Sequence, residues 1–207
     1  MEPSPVTVAE WRRFLSDYSS TFLNSGLLRE AESDGRAQFL LSEAQREAGW
    51  LGYGPASEEA VLAAERRLGV RLPPMYRNFL LTSNGWKSIG LLDLLKVDEI
   101  GWFPDLTDLL DYWSSPDSGY FAEDLEKFER CLLISNDDGG SGGHWVLFAD
   151  SARQDGEWTA YEWWPGDGTG PERHDNFAAM LTSAAEVISA EEPYASDQAT
   201  DSDDRAG

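Results

Sequence analysis

At Asn84-Gly85 the spacing of apolar residues changes, and that one switch restricts the chain to a small set of folds. Before it, apolar side chains recur three and four positions apart, the period of a helix with one buried face. After it they alternate, or run in short blocks bounded by glycine and aspartate, as strands do. A last helical pattern starts near Phe177. Helices, then sequential strands, then a helix define an α+β class. The expected architecture is N-terminal helices, a mainly antiparallel sheet and a C-terminal helix in a single domain.

Local signals fill in this outline. Thr7-Val8-Ala9-Glu10 has the form of a capping box, followed by an apolar stripe through Trp11, Phe14, Leu15, Tyr18 and Phe22. Residues 27–48 permit helix but are weakly patterned, with a break at Ser33-Asp34-Gly35. Ser57 can cap a helix that buries Val61, Ala64 and Leu68 and stops at Gly69. Leu72-Pro73-Pro74 opens a third helix with Met75, Tyr76, Phe79 and Leu80 on one face, and Asn84-Gly85 reads as its left-handed stop. Strands are expected at 91–97, 130–135, 144–149 and 157–164, and a short helix at 107–113. In the last strand Trp158, Ala160 and Trp164 alternate with Thr159, Tyr161 and Trp163, so both faces are buried or one displays aromatics.

With 207 residues, against roughly 100–200 per domain, one domain with appendages is expected. The reading is a helical extension over residues 1–50 packed on the domain, the α+β domain over 51–189 and a disordered acidic tail over 190–207. No basic segment followed by an apolar run opens the chain, and no apolar stretch approaches the roughly 18 residues of a membrane span. One cysteine, Cys131, excludes an internal disulfide, and with two histidines it cannot build a zinc finger. A cytoplasmic protein is expected.

Thirty-eight acidic residues against 16 basic ones give a formal net charge of -22. Such a field repels phosphate backbones and anionic lipid and attracts a basic protein, although it also serves solubility or salt adaptation. Residues 93–126 concentrate it, with ten acids against Lys96 alone. Interleaved are Trp102, Phe103, Tyr112, Trp113, Tyr120 and Phe121. Acids around aromatic anchors suit a steered protein interface, while the same rings could instead pack beneath an irregular loop. The candidate partner-binding residues are Trp102, Asp105, Asp108, Asp111, Tyr112, Trp113, Asp117 and Tyr120.

Catalytic motifs fail on context. Gly139-Gly140-Ser141-Gly142-Gly143 fits G-x-S-x-G formally, and Asp150, Asp155 or Asp167 with His174 would complete the order of a hydrolase triad. A nucleophile elbow lies between strand and helix, whereas a strand pattern follows here, so a mobile hairpin loop is expected. The loop lacks the Lys-Ser/Thr of a phosphate cradle, and Asn136-Asp137-Asp138-Gly139 lacks the spacing and final glutamate of a calcium loop. His144 and His174 read as surface residues, and Cys131 as an inert core thiol. No catalytic residue, metal or cofactor is expected.

One block carries a resemblance. A capped helix from Pro55 holding Glu65 leads through Leu72-Pro73-Pro74-Met75-Tyr76-Arg77-Asn78-Phe79-Leu80 to Asn84-Gly85-Trp86. It is accompanied by Val97-Asp98-Glu99-Ile100-Gly101-Trp102, by Leu132-Leu133-Ile134-Ser135-Asn136-Asp137-Asp138-Gly139-Gly140 and by Asn176-Phe177. Over about residues 50–185 this resembles the SUKH superfamily, in the branch named after the fungal Smi/Knr cell-wall regulator. The resemblance implies an α+β fold without a recognised active site. It also implies a stoichiometric binder, either an immunity protein that neutralises a basic toxin such as a nuclease or a regulatory scaffold as in the fungal branch. Neither partner identity nor oligomeric state can be read from it.

Overall fold

A computed structural model of the chain describes residues 4–90, 92–114, 122–137, 142–165 and 169–190, except for the side chains of residues 112–113, 122–124, 137 and 189–190. Four helices come first: α1 (Val8–Leu23), α2 (Gly26–Ser33), α3 (Ala37–Leu40) and α4 (Glu43–Ala48). The capping box of α1 forms, with the Thr7 amide donating to Glu10 Oε2 at 2.8 Å. Ser25 and Ser42 cap α2 and α4 in the weakly patterned stretch. Helix α5 (Glu58–Leu68) is capped by Ser57 and ends on Gly69 at φ +71°, as its sequence predicts. Helix α6 (Pro74–Leu80) follows.

The strands form two antiparallel sheets. Strands β1 (Trp86–Ile89), β2 (Leu92–Leu94) and β5 (Ser135–Asp137) make a small one in the order β1-β2-β5. The larger comprises β3 (Gly101–Trp102), β4 (Cys131–Leu133), β6 (His144–Phe148), β7 (Thr159–Trp163) and β8 (Glu172–His174), in the order β3-β4-β6-β7-β8. The chain passes from one sheet to the other at Ile134, whose amide donates to Trp145 O at 3.0 Å while its carbonyl accepts from Leu95 at 2.9 Å. Between β3 and β4 lie α7 (Phe103–Leu106), α8 (Leu109–Trp113) and α9 (Ala122–Phe128). Helix α10 (Phe177–Ala190) closes the domain, with Asn176 Oδ1 accepting from the Ala179 amide. This is one α+β domain.

Two hydrophobic clusters sandwich the larger sheet. The main one joins α1, α5, α6 and α10 to one sheet face. Its centre is aromatic: Trp11 lies 5.5 Å from both Phe79 and Phe177, and Tyr76 lies 4.8 Å from Phe177. The second cluster is Phe103, Leu125, Phe128, Cys131, Val146 and Trp163, covered by α7–α9. Alternation along the strands feeds both, since Leu132, Trp145, Leu147 and Ala160 enter the first while Cys131, Val146 and Trp163 enter the second. The aromatic strand β7 is therefore buried on both faces.

The structure corrects several expectations. Asn84-Gly85 is not the stop of α6, which closes at Leu81 through bonds to Arg77 and Phe79. Asn84 instead accepts the Val97 amide on Oδ1 at 2.8 Å, and Gly85, at φ +91°, would place a Cβ 2.9 Å from Leu94 O. The segment 91–97 contributes only β2, because Trp86–Ile89 forms its partner strand; β1 and β8 carry too few apolar residues to show a period. His144 is no simple surface residue, lying 5.6 Å from Phe103, and the His174 side chain is nearly buried. Of the expected tail, 190–207, Ala190 ends α10 and residues 191–207 lie outside the described residues.

Candidate protein-binding surface

Residues 103–111, the described centre of the acidic segment, lie over the outer face of the larger sheet, where Phe103 anchors them. Pro104 in the first turn of α7 is compatible with helix, and Phe103 is fully buried, 5.1 Å from Phe128. Phe128 in turn lies 4.6 Å from Trp163. Asp105, Asp108 and Asp111 on this anchored scaffold are all exposed. Trp102 is half-buried, packs on the main cluster and has the Arg130 guanidinium 4.9 Å above its ring. Arg130 also pairs with Asp150 at 3.1 Å. Asp105 lies in α7, Asp108 in the turn that follows and Asp111 in α8, whereas Trp102 at the end of β3 packs toward the main cluster. The side chains of Tyr112 and Trp113, and the whole of Asp117 and Tyr120, lie outside the described residues.

Catalytic geometry does not assemble among the described residues. Ser141 and Asp167 lie outside them. Asp150 and Asp155 are paired with Arg130 and Arg153. His174 Nε2 faces Glu162 at 4.0 Å and Glu172 at 3.9 Å. No three His, Cys, Asp or Glu side chains converge as metal ligands among the described residues, and no described helix is long and apolar enough to cross a membrane. Cys131 is buried, donates to Lys127 O at 3.2 Å, and burial pushes its thiol well above the ordinary range, so it is protonated and unreactive at neutral pH.

Sequence reasoning missed a second surface. A groove of about 770 Å³ runs between α5, the turn into α6 and the loop from Ala149 to Trp158. Glu65 at its edge accepts the Leu72 amide at 3.1 Å and lies 3.8 Å from Arg77 Nε, which ties α5 to α6. Below it, Glu157 solves a problem posed by Pro73, whose ring cannot cap a helix. Glu157 Oε1 accepts the Met75 amide at 2.8 Å, so a side chain 82 positions away caps α6. The only sequence sign of this is the missing cap itself.

These ties give the block from Pro55 to Trp86 a physical reading: Glu65 fixes the turn, the two prolines start α6, and Asn84-Gly85 holds the approach to β3. Residues 55–183 match the SMI1 / KNR4 family (SUKH-1). The chain belongs to this family. No curated protein matches it. Membership in SUKH-1 supports a protein-interaction role. The SUKH-1 match leaves out α1–α4, although Trp11, Leu15, Tyr18 and Phe22 of α1 sit in the main core.

The Glu157 cap has a pH signature. The side chain is buried, Glu157 being 3% exposed, and Oε2 has no partner among the described residues. Burial raises its pKa, against the lowering effect of the Met75 bond. The folded chain therefore holds this proton more tightly than the unfolded chain. Its contribution is fully present below the ordinary carboxylate value and is lost as pH rises through the raised one. Glu157→Gln keeps the acceptor without the charge. Its stability relative to the parent should rise between acid and neutral pH, measured by urea denaturation at several pH values. A constant difference would show that Glu157 titrates normally.

Proposed function

We propose that the protein acts without catalysis, as a stoichiometric binder that neutralises a basic toxin domain, such as a nuclease, in the cytoplasm. The observation that supports this reading is that Asp105, Asp108 and Asp111 are each exposed, on α7, α8 and the turn between them, beside Phe103 buried in the second cluster. Carboxylates on a preorganised scaffold present an anionic surface to a basic cleft at little ordering cost. The acidic net charge steers the encounter, and Tyr112, Trp113, Asp117 and Tyr120, which follow in sequence, are proposed as further contacts with the partner. Trp102, held between the core and Arg130, positions the segment rather than anchoring a partner. A regulatory scaffold is the second reading that the family allows, and the presence of a neighbouring toxin gene separates the two.

The test is co-expression with that toxin, followed by binding kinetics. Asp105→Asn, Asp108→Asn and Asp111→Asn combined should slow association about tenfold at low salt and flatten its salt dependence, with a smaller change in dissociation. All three side chains are exposed, so the unfolding midpoint should stay where it is. Unchanged association at low salt would place the interface elsewhere. Failure of the parent to rescue growth would remove the immunity reading.

A further inference from the structure

We infer that the groove between α5, α6 and the Ala149–Trp158 loop is a second interaction surface, built for an acidic peptide segment that carries apolar side chains. It lies on the main-core side of the larger sheet, whereas the acidic helices cover the other face. Its walls include Leu62, Val70, Leu72 and Trp158, and Leu62 is 42% exposed, an apolar side chain left in water on a helix.

The charges decide the occupant. Both carboxylates of the groove are already satisfied within the chain. Glu65 receives the Leu72 amide and faces Arg77. Asp155 receives the Arg153 guanidinium at 3.2 Å and the Glu157 amide at 3.0 Å, and the Arg153 bond holds its carboxyl below the usual range. Arg77 is committed as well, donating to both oxygens of Glu58. That leaves Arg71 in the groove and Arg66 in the adjoining recess of about 400 Å³, both exposed and without a partner among the described residues. They open the longest contrast in the sequence: from Arg66 to Leu92 there are five basic residues and no acidic one, in a chain with 38 acids. Guanidinium groups bind carboxylates bidentately, and the apolar walls between them suit side chains better than a sugar-phosphate backbone.

The probe is a short fluorescein-labelled peptide of alternating glutamate and leucine, compared with its glutamine and leucine counterpart and a single-stranded DNA oligonucleotide. With the full chain, the acidic peptide should bind about tenfold more tightly than the neutral one, and amide resonances of Val70, Leu72 and Gly156 should shift. Arg66→Ala with Arg71→Ala should reduce that affinity about tenfold without moving the unfolding midpoint. The Asp105, Asp108 and Asp111 variants should leave it unchanged, so the fate of this surface is separate from that of the acidic one. Equal binding of the two peptides, indifference to the arginine substitutions, or tighter binding of the oligonucleotide would overturn the inference. So would peptide binding that emerges only after residues 191–207 are removed, since the chain's own acidic segment would then be the occupant.

Discussion

Trp11→Ala is expected to lower the unfolding free energy by about 3–5 kcal/mol, the cost typical of emptying a buried tryptophan site. The ring is fully buried, is edge-on to Phe79 and tilted against Phe177, and its Nε1 donates to Met75 O at 3.0 Å. Truncation opens a cavity where α1, α6 and α10 meet and also takes the donor from the Met75 carbonyl. Urea denaturation would show a shifted midpoint with an unchanged slope. A loss below about 1 kcal/mol would mean that α1 is an appendage whose removal the domain tolerates. Since α1 lies before the SUKH-1 match, the result decides whether this chain needs more than the family's common elements in order to fold.

Phe103→Ala should cost a similar amount, about 3–5 kcal/mol, through the second cluster. Phe103 touches Phe128 and His144, and Phe128 passes the contact on to Trp163. Without the ring, α7 loses its anchor, and Asp105, Asp108 and Asp111 lose their fixed placement. Partner association should weaken along with stability. Phe103→Leu, which keeps most of the volume, should cost under about 1.5 kcal/mol and preserve binding. Loss of binding in the leucine variant at full stability would give Phe103 a direct role at the interface and remove its structural one.

Much of the fold was legible because its signals are local. Thr7 and Glu10 are three residues apart, Ser57 immediately precedes α5, and Gly69 ends it; each acts within one turn of chain. The order of helices and strands was equally visible in the change of period. What escaped was set by partners beyond one turn of chain. Residues 86–89 form a strand because Leu92–Leu94 turns back beside them, and Asn84 departs from helix termination because Val97 arrives at its side chain. The surface followed the same division. Asp105, Asp108 and Asp111 could be singled out from charge density, whereas the groove required α5 to meet the Ala149–Trp158 loop, far away in sequence. The histidines were misjudged for the same reason, because Phe103 beside His144 comes from α7 and Glu162 beside His174 comes from β7.

The borrowed cap of α6 bears on the order in which the molecule is assembled. A helix of seven residues is too short to persist alone, and its first turn is completed by a carboxylate that leaves the ribosome long after Met75 has done so. Pro73 and Pro74 carry no N–H and Glu65 takes the Leu72 amide, so during synthesis it is the Met75 amide that stays in water until Glu157 has been made. The cap of α6 is thus completed only after strands β1–β6, which follow the helix in sequence, have been synthesised.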